Sequence, residues 1–376
     1  MIYLDYNGTT PIDPTVRAVM LPFLEDAFGN PSSMCQLGRE AAAALAQARA
    51  QVAALLGARS SEIIFTSGAT ESIATAFHCA LTANPKKHHI VTCVTEHSAT
   101  LKCCHEYASR GYEITLLPVN REGMLSLEVL ENALTPATAL ISLLWANNES
   151  GVIFPIEKIA AIAQQKKVPL HLDAVQAVGK IPIDLATFSV DYLSLAGHKF
   201  YAPKGIGALY VHRHAFYTPL FPGSQEHGRR GGTENIPAIV ALGKAAELAL
   251  QLLSTEMTRE AALRDSLEEE LFKKIDSIFL NGEKTNRLSN TSNFSFTGIQ
   301  AAEALLLLDQ EGVCCSAGSA CNTKSKTPSH VLTAMRLTLA EARSSLRFSL
   351  GRFTTQEEID RVLEIIPRVV KKLRGL

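Results

Sequence analysis

The sequence lacks an excess of charge of either sign and lacks a long apolar run. Its 376 residues contain 36 lysines and arginines against 37 aspartates and glutamates, so the formal net charge is −1. Without a net positive field, neither a nucleic acid nor an anionic membrane is an expected partner. No apolar run approaches the roughly 18 residues that span a bilayer, and the N-terminus carries no basic segment followed by an apolar core. We therefore expect a cytoplasmic protein.

The eight cysteines do not follow the spacing of a disulfide framework. A chain of this length buries a sufficient core without disulfides, so most of these thiols are expected to be reduced. The paired Cys-x-x-Cys of many zinc sites is also absent, and the segment that carries Cys93, His97 and Cys104 resembles a strand that continues into a helix. We expect no metal site, and we interpret most of these cysteines as small buried hydrophobic residues.

Short apolar segments alternate with helical segments along the first part of the chain. This alternation predicts a mostly parallel sheet with helices on both faces. Helix punctuation agrees, because Asp13 and Pro14 can begin a helix that closes near Gly29, and an alanine-rich helix is predicted from Arg39 to Gly57. The predicted strands cover residues 62–65, 89–94, 112–117, 138–145, 168–172, 191–195 and 206–211.

The pattern changes after about residue 250. Two helical segments, 234–253 and 255–275, are followed by predicted strands at 291–296 and 344–350 that are separated by helices. This part predicts a smaller α+β unit. The fold class is therefore α/β, with a large domain at residues 13–253 and a small domain formed by residues 1–12 and 254–376.

A lysine and an aspartate carry the first chemical signal. Asp173 ends a predicted strand, and Lys199 follows a glycine and a histidine after another. A lysine amine that can form a Schiff base, with an aspartate that can hold a pyridinium nitrogen, is what pyridoxal phosphate chemistry requires. A lysine after a glycine is also a common solvated loop residue, so the pair alone does not decide the function.

Two further segments place polar groups after predicted strands. Residues 66–71 form a strand-to-helix turn of small and hydroxyl residues, where backbone N–H groups and the helix dipole would hold a phosphate; simple capping of the helix is the alternative. His97 follows another predicted strand, at the edge where open α/β sheets bind ligands, and its ring could stack on a flat cofactor. A structural histidine is the alternative there.

These segments belong to a series of runs that span almost the whole chain in the order and spacing of a known family. The runs cover residues 3–10, 29–33, 65–72, 96–97, 146–151, 173–180, 197–199, 203–211, 231–235, 318–321 and 346–352. In them the chain resembles the cysteine desulfurases of the NifS and IscS type, within the fold type I pyridoxal phosphate enzymes. The resemblance implies that fold, that cofactor, and L-cysteine as the substrate.

The resemblance also implies roles for individual residues around the cofactor. Lys199 would form the Schiff base, Asp173 would hold the pyridine nitrogen protonated, and Gln176 would bond the ring hydroxyl. His97 would stack on the ring, and whether it also transfers protons is left open. The phosphate would lie against Ala69, Thr70 and His198, with Thr233 reaching it across the interface of a homodimer.

Substrate binding and sulfur transfer are implied for three more residues. Asn148 and Arg347 would bind the substrate carboxylate, to which a planar guanidinium is well suited. Cys321 lies in a stretch of small and polar residues typical of an exposed loop. Its thiolate would attack the substrate sulfur after Lys199 removes the α-proton, which leaves a persulfide and releases L-alanine. The sulfur would then pass to an acceptor for iron–sulfur cluster assembly or thio-cofactor synthesis.

Several positions depart from the family pattern and leave alternatives open. Ala196 stands where a serine usually contacts the phosphate, Ile73 replaces a polar residue, and Lys324 and Lys326 follow Cys321. A selenocysteine lyase shares the fold, the cofactor and the loop cysteine. An aminotransferase of the same fold would give Cys321 no role. A catalytically impaired homologue that binds an assembly scaffold is a further alternative.

Overall fold

A seven-stranded sheet forms the centre of the fold in a computed structural model, which describes residues 1–318 and 328–375. The described residues form twelve strands in three sheets: β1 (Ile2–Tyr3), β2 (Ile63–Thr66), β3 (His89–Cys93), β4 (Glu113–Leu117), β5 (Thr138–Leu144), β6 (Leu170–Asp173), β7 (Tyr192–Ala196), β8 (Gly207–Val211), β9 (Ile278–Leu280), β10 (Thr291–Phe296), β11 (Val313–Cys314) and β12 (Ser345–Ser349).

Helices cover the sheet and build the second part of the chain. They are α1 (Pro14–Met20), α2 (Gln36–Leu56), α3 (Ala69–Ala83), α4 (Ser98–Ser109), α5 (Leu127–Ala133), α6 (Ile156–Lys166), α7 (Gln225–Gly228), α8 (Ile236–Lys274), α9 (Ala301–Gln310), α10 (His330–Ala334), α11 (Leu339–Arg343) and α12 (Gln356–Leu373). Short 3₁₀ turns cover Leu21–Leu24, Ser60–Glu62 and Gly197–Lys199.

The central sheet has the order β2-β8-β7-β6-β5-β3-β4 and is mostly parallel, as predicted. Strand β8 alone runs antiparallel to both of its neighbours, β2 and β7. The inner strands of the central sheet are buried along their whole length, because helices cover both faces of the sheet. Strands β2, β3, β5, β6 and β7 all point the same way, so the turns that follow them meet at one edge of the sheet.

A second, smaller layer contains the antiparallel sheet β12-β10-β9 and the parallel pair β1-β11. Its apolar core is separate from that of the central sheet and consists of Leu4 and residues between Leu263 and Val370. Strand β1 therefore joins the N-terminus to the part of the chain that follows α8. The domain boundaries given above remain a prediction.

Two helix predictions are wrong in their bounds. The segments predicted as separate helices form the single 39-residue helix α8, because Ser254 and Thr255 lower helix propensity only slightly and do not remove a backbone donor. Helix α1 ends at Met20 rather than near Gly29, since Pro22 interrupts the hydrogen-bond ladder and the chain continues as a 3₁₀ turn.

Helix α8 also corrects the expectation that no apolar run approaches membrane-spanning length. An 18-residue window within it has a mean hydropathy of 1.6, and half of that window is buried inside the fold. A core helix passes the same test of length and composition, and α8 packs along α1 and α2. The window is therefore weak support for a membrane span.

Candidate active site

A cavity of about 420 Å³ opens at the edge of the sheet where the parallel strands end. Its walls come from the turns after β2, β3, β5, β6 and β7, together with the N-terminal segment and β12. The structure brings together there the sequence-predicted residues Ala69, Thr70, His97, Asn148, Asp173, Gln176, His198, Lys199 and Arg347. The cavity is within the size range of small-molecule sites.

Lys199 enters the cavity from the 3₁₀ turn that follows β7. The turn packs tightly, because a Cβ on Gly197 would lie 2.9 Å from the Cβ of Ala202. The Lys199 Nζ donates hydrogen bonds to the backbone carbonyls of Asn7 at 2.7 Å and Gly8 at 2.6 Å. These contacts hold the amine against the N-terminal segment at the wall of the cavity.

Asp173 and His97 lie on the same wall. Asp173 ends β6 and accepts a hydrogen bond from the Val175 backbone N–H at 3.1 Å. Burial raises the pKa of Asp173, against the opposing charges of His97 and Lys199. Burial lowers the pKa of His97, and its Nδ1 accepts from the Ala99 N–H at 3.2 Å, so the neutral ring carries its proton on Nε2. A buried carboxylate is stabilised by a ligand that brings a cationic N–H to it.

The start of α3 provides a site for an anion. Among the described residues no side chain caps this helix, so its first N–H groups point back toward the turn between β2 and Ala69. A Cβ on Gly207 would lie 2.8 Å from the Gly68 Cα, so only glycine at position 207 lets the two backbones approach so closely. The negative charge of Glu71, in the first turn of α3, is balanced by an ion pair with Arg230, in which Oε1 and Nε are 2.9 Å apart. The positive end of the helix dipole therefore faces the cavity beside Ala69 and Thr70.

His198 lies at the same end of the cavity. Its Nδ1 is 3.1 Å from the Thr9 Oγ1. Burial, with the charges of Lys199 and Lys204, lowers the pKa of His198 to about 4. The ring is therefore neutral near pH 7, and it can serve an anion as a hydrogen-bond donor rather than as a cation.

Arg347 closes the cavity from β12 and is 1% exposed. Its Nη1 donates to the Asn148 backbone carbonyl at 2.8 Å, and its Nη2 forms an ion pair with Asp5. Within the part of the chain that the structure describes, the Arg347 Nε has no hydrogen-bond partner. A buried guanidinium with an unused donor fits a carboxylate ligand. The sequence reasoning missed Asp5, although it lies in one of the runs that carry the resemblance.

Sequence reasoning also missed two buried residues that support the site, Asn7 and Lys180. Gln176 donates from Nε2 to the Asn7 backbone carbonyl at 2.9 Å, and the Lys180 Nζ donates to the Asn7 Oδ1 at 2.9 Å. Asn7 is 1% exposed and belongs to the N-terminal segment. Both residues lie within the runs that carry the resemblance, which is the signal that would have found them.

The remaining predicted positions are placed as follows. Ala196 and Ile73 both line the cavity, so the two departures from the family pattern lie at the site itself. Thr233 is exposed and lines a smaller neighbouring cavity instead. Cys321, Lys324 and Lys326 lie outside the described residues. Over residues 1–318 and 328–375, no three His, Cys, Asp or Glu side chains are grouped so that they could hold a metal ion.

The donor set fits pyridoxal phosphate. The cavity offers a lysine amine, a buried aspartate, a neutral histidine ring and an uncapped helix start within one enclosure. An aldehyde, a pyridine nitrogen, an aromatic ring and a phosphate are the complementary groups of that cofactor.

Comparison with known proteins agrees with this reading of the cavity. The aminotransferase class-V family model matches residues 2–362. A cysteine desulfurase of Nostoc sp. is 50% identical over 377 residues, covering 100% of this chain and 94% of the relative. The cysteine desulfurase NifS of Azotobacter vinelandii is 47% identical, with coverage of 100% and 94%, and the cysteine desulfurase IscS of Dictyoglomus turgidum is 46% identical, with coverage of 100% and 96%.

Solved structures give the same result. A NifS-like protein superimposes with a TM-score of 0.92 at 35% identity, covering 100% of both chains. A structure described as SspA in complex with cysteine superimposes with a TM-score of 0.83 at 38% identity, covering 94% of this chain and 100% of the other. The fold type I architecture is thereby confirmed. The chain belongs to the class-V aminotransferase family and, within it, to the pyridoxal phosphate-dependent cysteine desulfurases.

Proposed function

We propose that this protein converts L-cysteine to L-alanine and carries the released sulfur on Cys321 as a persulfide. The observation that carries the proposal is the meeting of Lys199, Asp173 and Arg347 in one cavity, with an anion site at the start of α3. A lysine, a buried carboxylate and a guanidinium are the groups needed to bind the cofactor, activate it and hold an amino-acid carboxylate.

In this reaction the cavity residues have separate roles in binding the cofactor and the substrate. Pyridoxal phosphate, when bound, supplies an electron sink for a carbanion at the substrate α-carbon. Asp173 holds the pyridine nitrogen, Gln176 bonds the ring oxygen, His97 stacks on the ring, and Ala69, Thr70 and His198 hold the phosphate. The unused Nε donor of Arg347, with Asn148 beside it, binds the carboxylate of L-cysteine and so orients the α-proton.

Lys199 and Cys321 carry out the proton and sulfur transfers. The Nζ of Lys199 removes the α-proton and later returns a proton to the product. The Cys321 thiolate attacks the substrate sulfur, so that a sulfur–sulfur bond forms while the bond from sulfur to the substrate Cβ breaks. The electron pair of the broken bond remains on the three-carbon fragment, which becomes L-alanine after protonation.

An assay with two substrates tests the reaction. The purified protein, loaded with pyridoxal phosphate, is expected to form alanine from L-cysteine, with sulfide released when a thiol reductant is present. Alanine is quantified for L-cysteine and for L-selenocysteine under the same conditions. Alanine from selenocysteine alone would assign the protein as a selenocysteine lyase, and a protein that binds the cofactor but turns over neither substrate would be the impaired homologue.

We further propose a homodimer in which Thr233 completes the phosphate site of the neighbouring subunit. Two observations support it. Thr233 is exposed and does not line the cavity of its own chain. Large apolar side chains are also exposed on this chain, among them Leu24, Phe28 and Met34, at 58%, 72% and 91%. Symmetric pairs are the most common oligomers of soluble proteins.

Mixed dimers test that arrangement. Thr233→Val should weaken pyridoxal phosphate binding by about tenfold, since a hydrogen bond to a charged group is lost. When Lys199→Ala and Thr233→Val chains are combined, one site of each mixed dimer keeps both residues if Thr233 acts across the interface. We therefore expect high-affinity cofactor binding and turnover at one site per mixed dimer. Their absence would show that Thr233 serves its own chain.

We also propose a cytoplasmic location and delivery of the sulfur to an acceptor protein, for iron–sulfur cluster assembly or thio-cofactor synthesis. The balanced charge of the chain and the names NifS and IscS among its relatives support this proposal. Neither a nucleic acid nor a membrane is proposed as a partner.

A further inference from the structure

A buried lysine lies next to the proposed cofactor site. Lys180 follows β6 and is 9% exposed. Its Nζ donates to the Asn7 Oδ1 at 2.9 Å and also to the Gln176 Oε1. Among the described residues, no carboxylate forms an ion pair with Lys180, although Glu260 of α8 contributes an attractive charge. Burial of a lysine without a bonded carboxylate is costly, so the position requires an explanation beyond packing.

Three charged side chains, Lys199, Arg347 and Glu260, act on Lys180. Burial and the charges of Lys199 and Arg347 lower its pKa to about 7, against the charge of Glu260. Burial and the charge of Glu256 raise the pKa of Glu260 to about 7. Lys180 thus lies between the site, which carries Lys199 and Arg347, and the acidic side chains of α8.

The contact between Lys180 and Gln176 determines which way the Gln176 amide points. In its protonated form the Lys180 Nζ has only donors, so the Gln176 atom that it contacts is then the carbonyl oxygen. The amide nitrogen then lies on the other side, where one of its hydrogens is donated to the Asn7 backbone carbonyl at 2.9 Å. Among the described residues the second hydrogen has no acceptor, and Gln176 lines the cavity, so this hydrogen is available to a ligand there.

Asn7 connects the same lysine to Lys199. The Asn7 backbone carbonyl accepts hydrogen bonds from the Lys199 Nζ at 2.7 Å and from the Gln176 Nε2. The Asn7 side-chain oxygen accepts from Lys180 and, at 3.2 Å, from Asn290. Lys180 therefore contacts both Gln176 and Asn7, and Asn7 is the residue against which the Lys199 amine rests.

We propose that Lys180 is a positioning residue, which fixes the Gln176 amide so that its nitrogen donates to the ring oxygen of the cofactor. It acts through Gln176 and Asn7 and does not itself contact the reacting atoms. The inference rests on the proposed cofactor site and adds to it a buried donor that holds the orientation of a ligand-binding side chain.

A double-mutant cycle tests this inference, with cofactor binding and the absorption spectrum as the readouts. In Lys180→Met the Gln176 amide can rotate, so we expect pyridoxal phosphate affinity to fall about tenfold and the visible band of the bound cofactor to shift, as for the loss of one hydrogen bond at the ring oxygen. In a Gln176→Leu background, Lys180→Met should add less than about twofold, because two residues that act through one contact are not additive. A full additional loss in that background would overturn the inference.

Asn290 provides the matched control. Asn290→Ala removes the other side-chain donor to the Asn7 Oδ1 but leaves the contact between Lys180 and Gln176 intact. It is expected to lower thermal stability without moving the band, and a shift equal to that of Lys180→Met would assign Lys180 a structural role only. Lys180→Gln, which keeps N–H donors, should restore the band. If Lys180→Met does not fold, Lys180→Ser replaces it in the cycle, since water can then solvate the neighbouring groups.

The design separates failure of this inference from failure of the proposed function. If the wild-type chain does not bind pyridoxal phosphate, the cofactor site itself is wrong. If the wild-type chain binds the cofactor and Lys180→Met has the same affinity and spectrum, the cofactor site is retained and the role of Lys180 is refuted.

Discussion

Replacement of Lys199 with alanine is expected to lower alanine formation from L-cysteine by at least about 1,000-fold, because a single group that acts as both acid and base contributes on that scale. The side chain has two tasks in the proposed mechanism. It attaches the cofactor in the resting protein and then moves the proton at the substrate α-carbon. No other lysine donates to the carbonyls of Asn7 and Gly8 among the described residues, so no neighbour can take over these tasks in place.

Two variants control this prediction. Lys199→Arg places a guanidinium at the position, which cannot form a Schiff base, so it should be as inactive as Lys199→Ala. Lys158→Ala removes an exposed lysine of α6 and should keep wild-type activity. Alanine production is measured at matched protein concentration, after circular dichroism has shown that each variant is folded. Turnover by Lys199→Ala near the wild-type rate would refute the mechanism.

The location of the site was predictable because it depends on the order of strands and turns. Asp173 ends a strand, and His97 and Lys199 each follow one; parallel strands bring such residues to one edge whatever the exact strand bounds are. Strand β2 has no parallel neighbour, but it runs in the same direction as β7 because β8 pairs antiparallel with both. The turn after β2 therefore lies at the same edge. Errors of one or two residues at strand ends therefore did not displace the predicted site.

The supporting residues were not predictable in the same way. Asn7 reaches Lys180 and Lys199 only after the N-terminal segment has crossed from the second layer to the sheet edge, so its contacts join residues 173 and 192 positions apart. A local pattern does not encode such contacts. Asp5 and Arg347 are 342 positions apart in the sequence, so their ion pair could not be predicted from the periodicity of apolar residues either. Continuity of α8 was missed because a Ser-Thr pair resembles a helix start and is also tolerated within a helix.

The choice of the sulfur-carrying cysteine can be argued from the cysteines that are described. Sulfur transfer requires a thiolate. Burial raises the pKa of Cys79 to about 11 and those of Cys93 and Cys104 to about 12, so these thiols stay protonated near neutral pH. Burial also raises the pKa values of Cys103, Cys314 and Cys315. Cys35 is exposed, but it precedes α2 and does not line the cavity.

Cys321→Ala is therefore expected to lower sulfur transfer and alanine formation by at least about 100-fold, as for loss of a nucleophile. Persulfide on the protein is measured by mass spectrometry after a single addition of L-cysteine, and alanine is measured under turnover. Cys35→Ala is the matched control, because it removes an exposed thiol away from the cavity and should form persulfide as the wild type does. Full activity of Cys321→Ala would favour the aminotransferase alternative or another carrier.

Solvent exchange separates the two chemical steps that Lys199 and Cys321 are proposed to perform. In D₂O, Cys321→Ala should still replace the α-proton of L-cysteine with deuterium, because the Lys199 amine and the cofactor are intact and proton removal is reversible when the sulfur cannot leave. Lys199→Ala should catalyse neither exchange nor sulfur transfer. The two variants thus differ in nuclear magnetic resonance spectra of the unreacted substrate although both fail to form alanine. If exchange also stops in Cys321→Ala, the cysteine takes part before sulfur transfer, and the division of roles between the two residues is wrong.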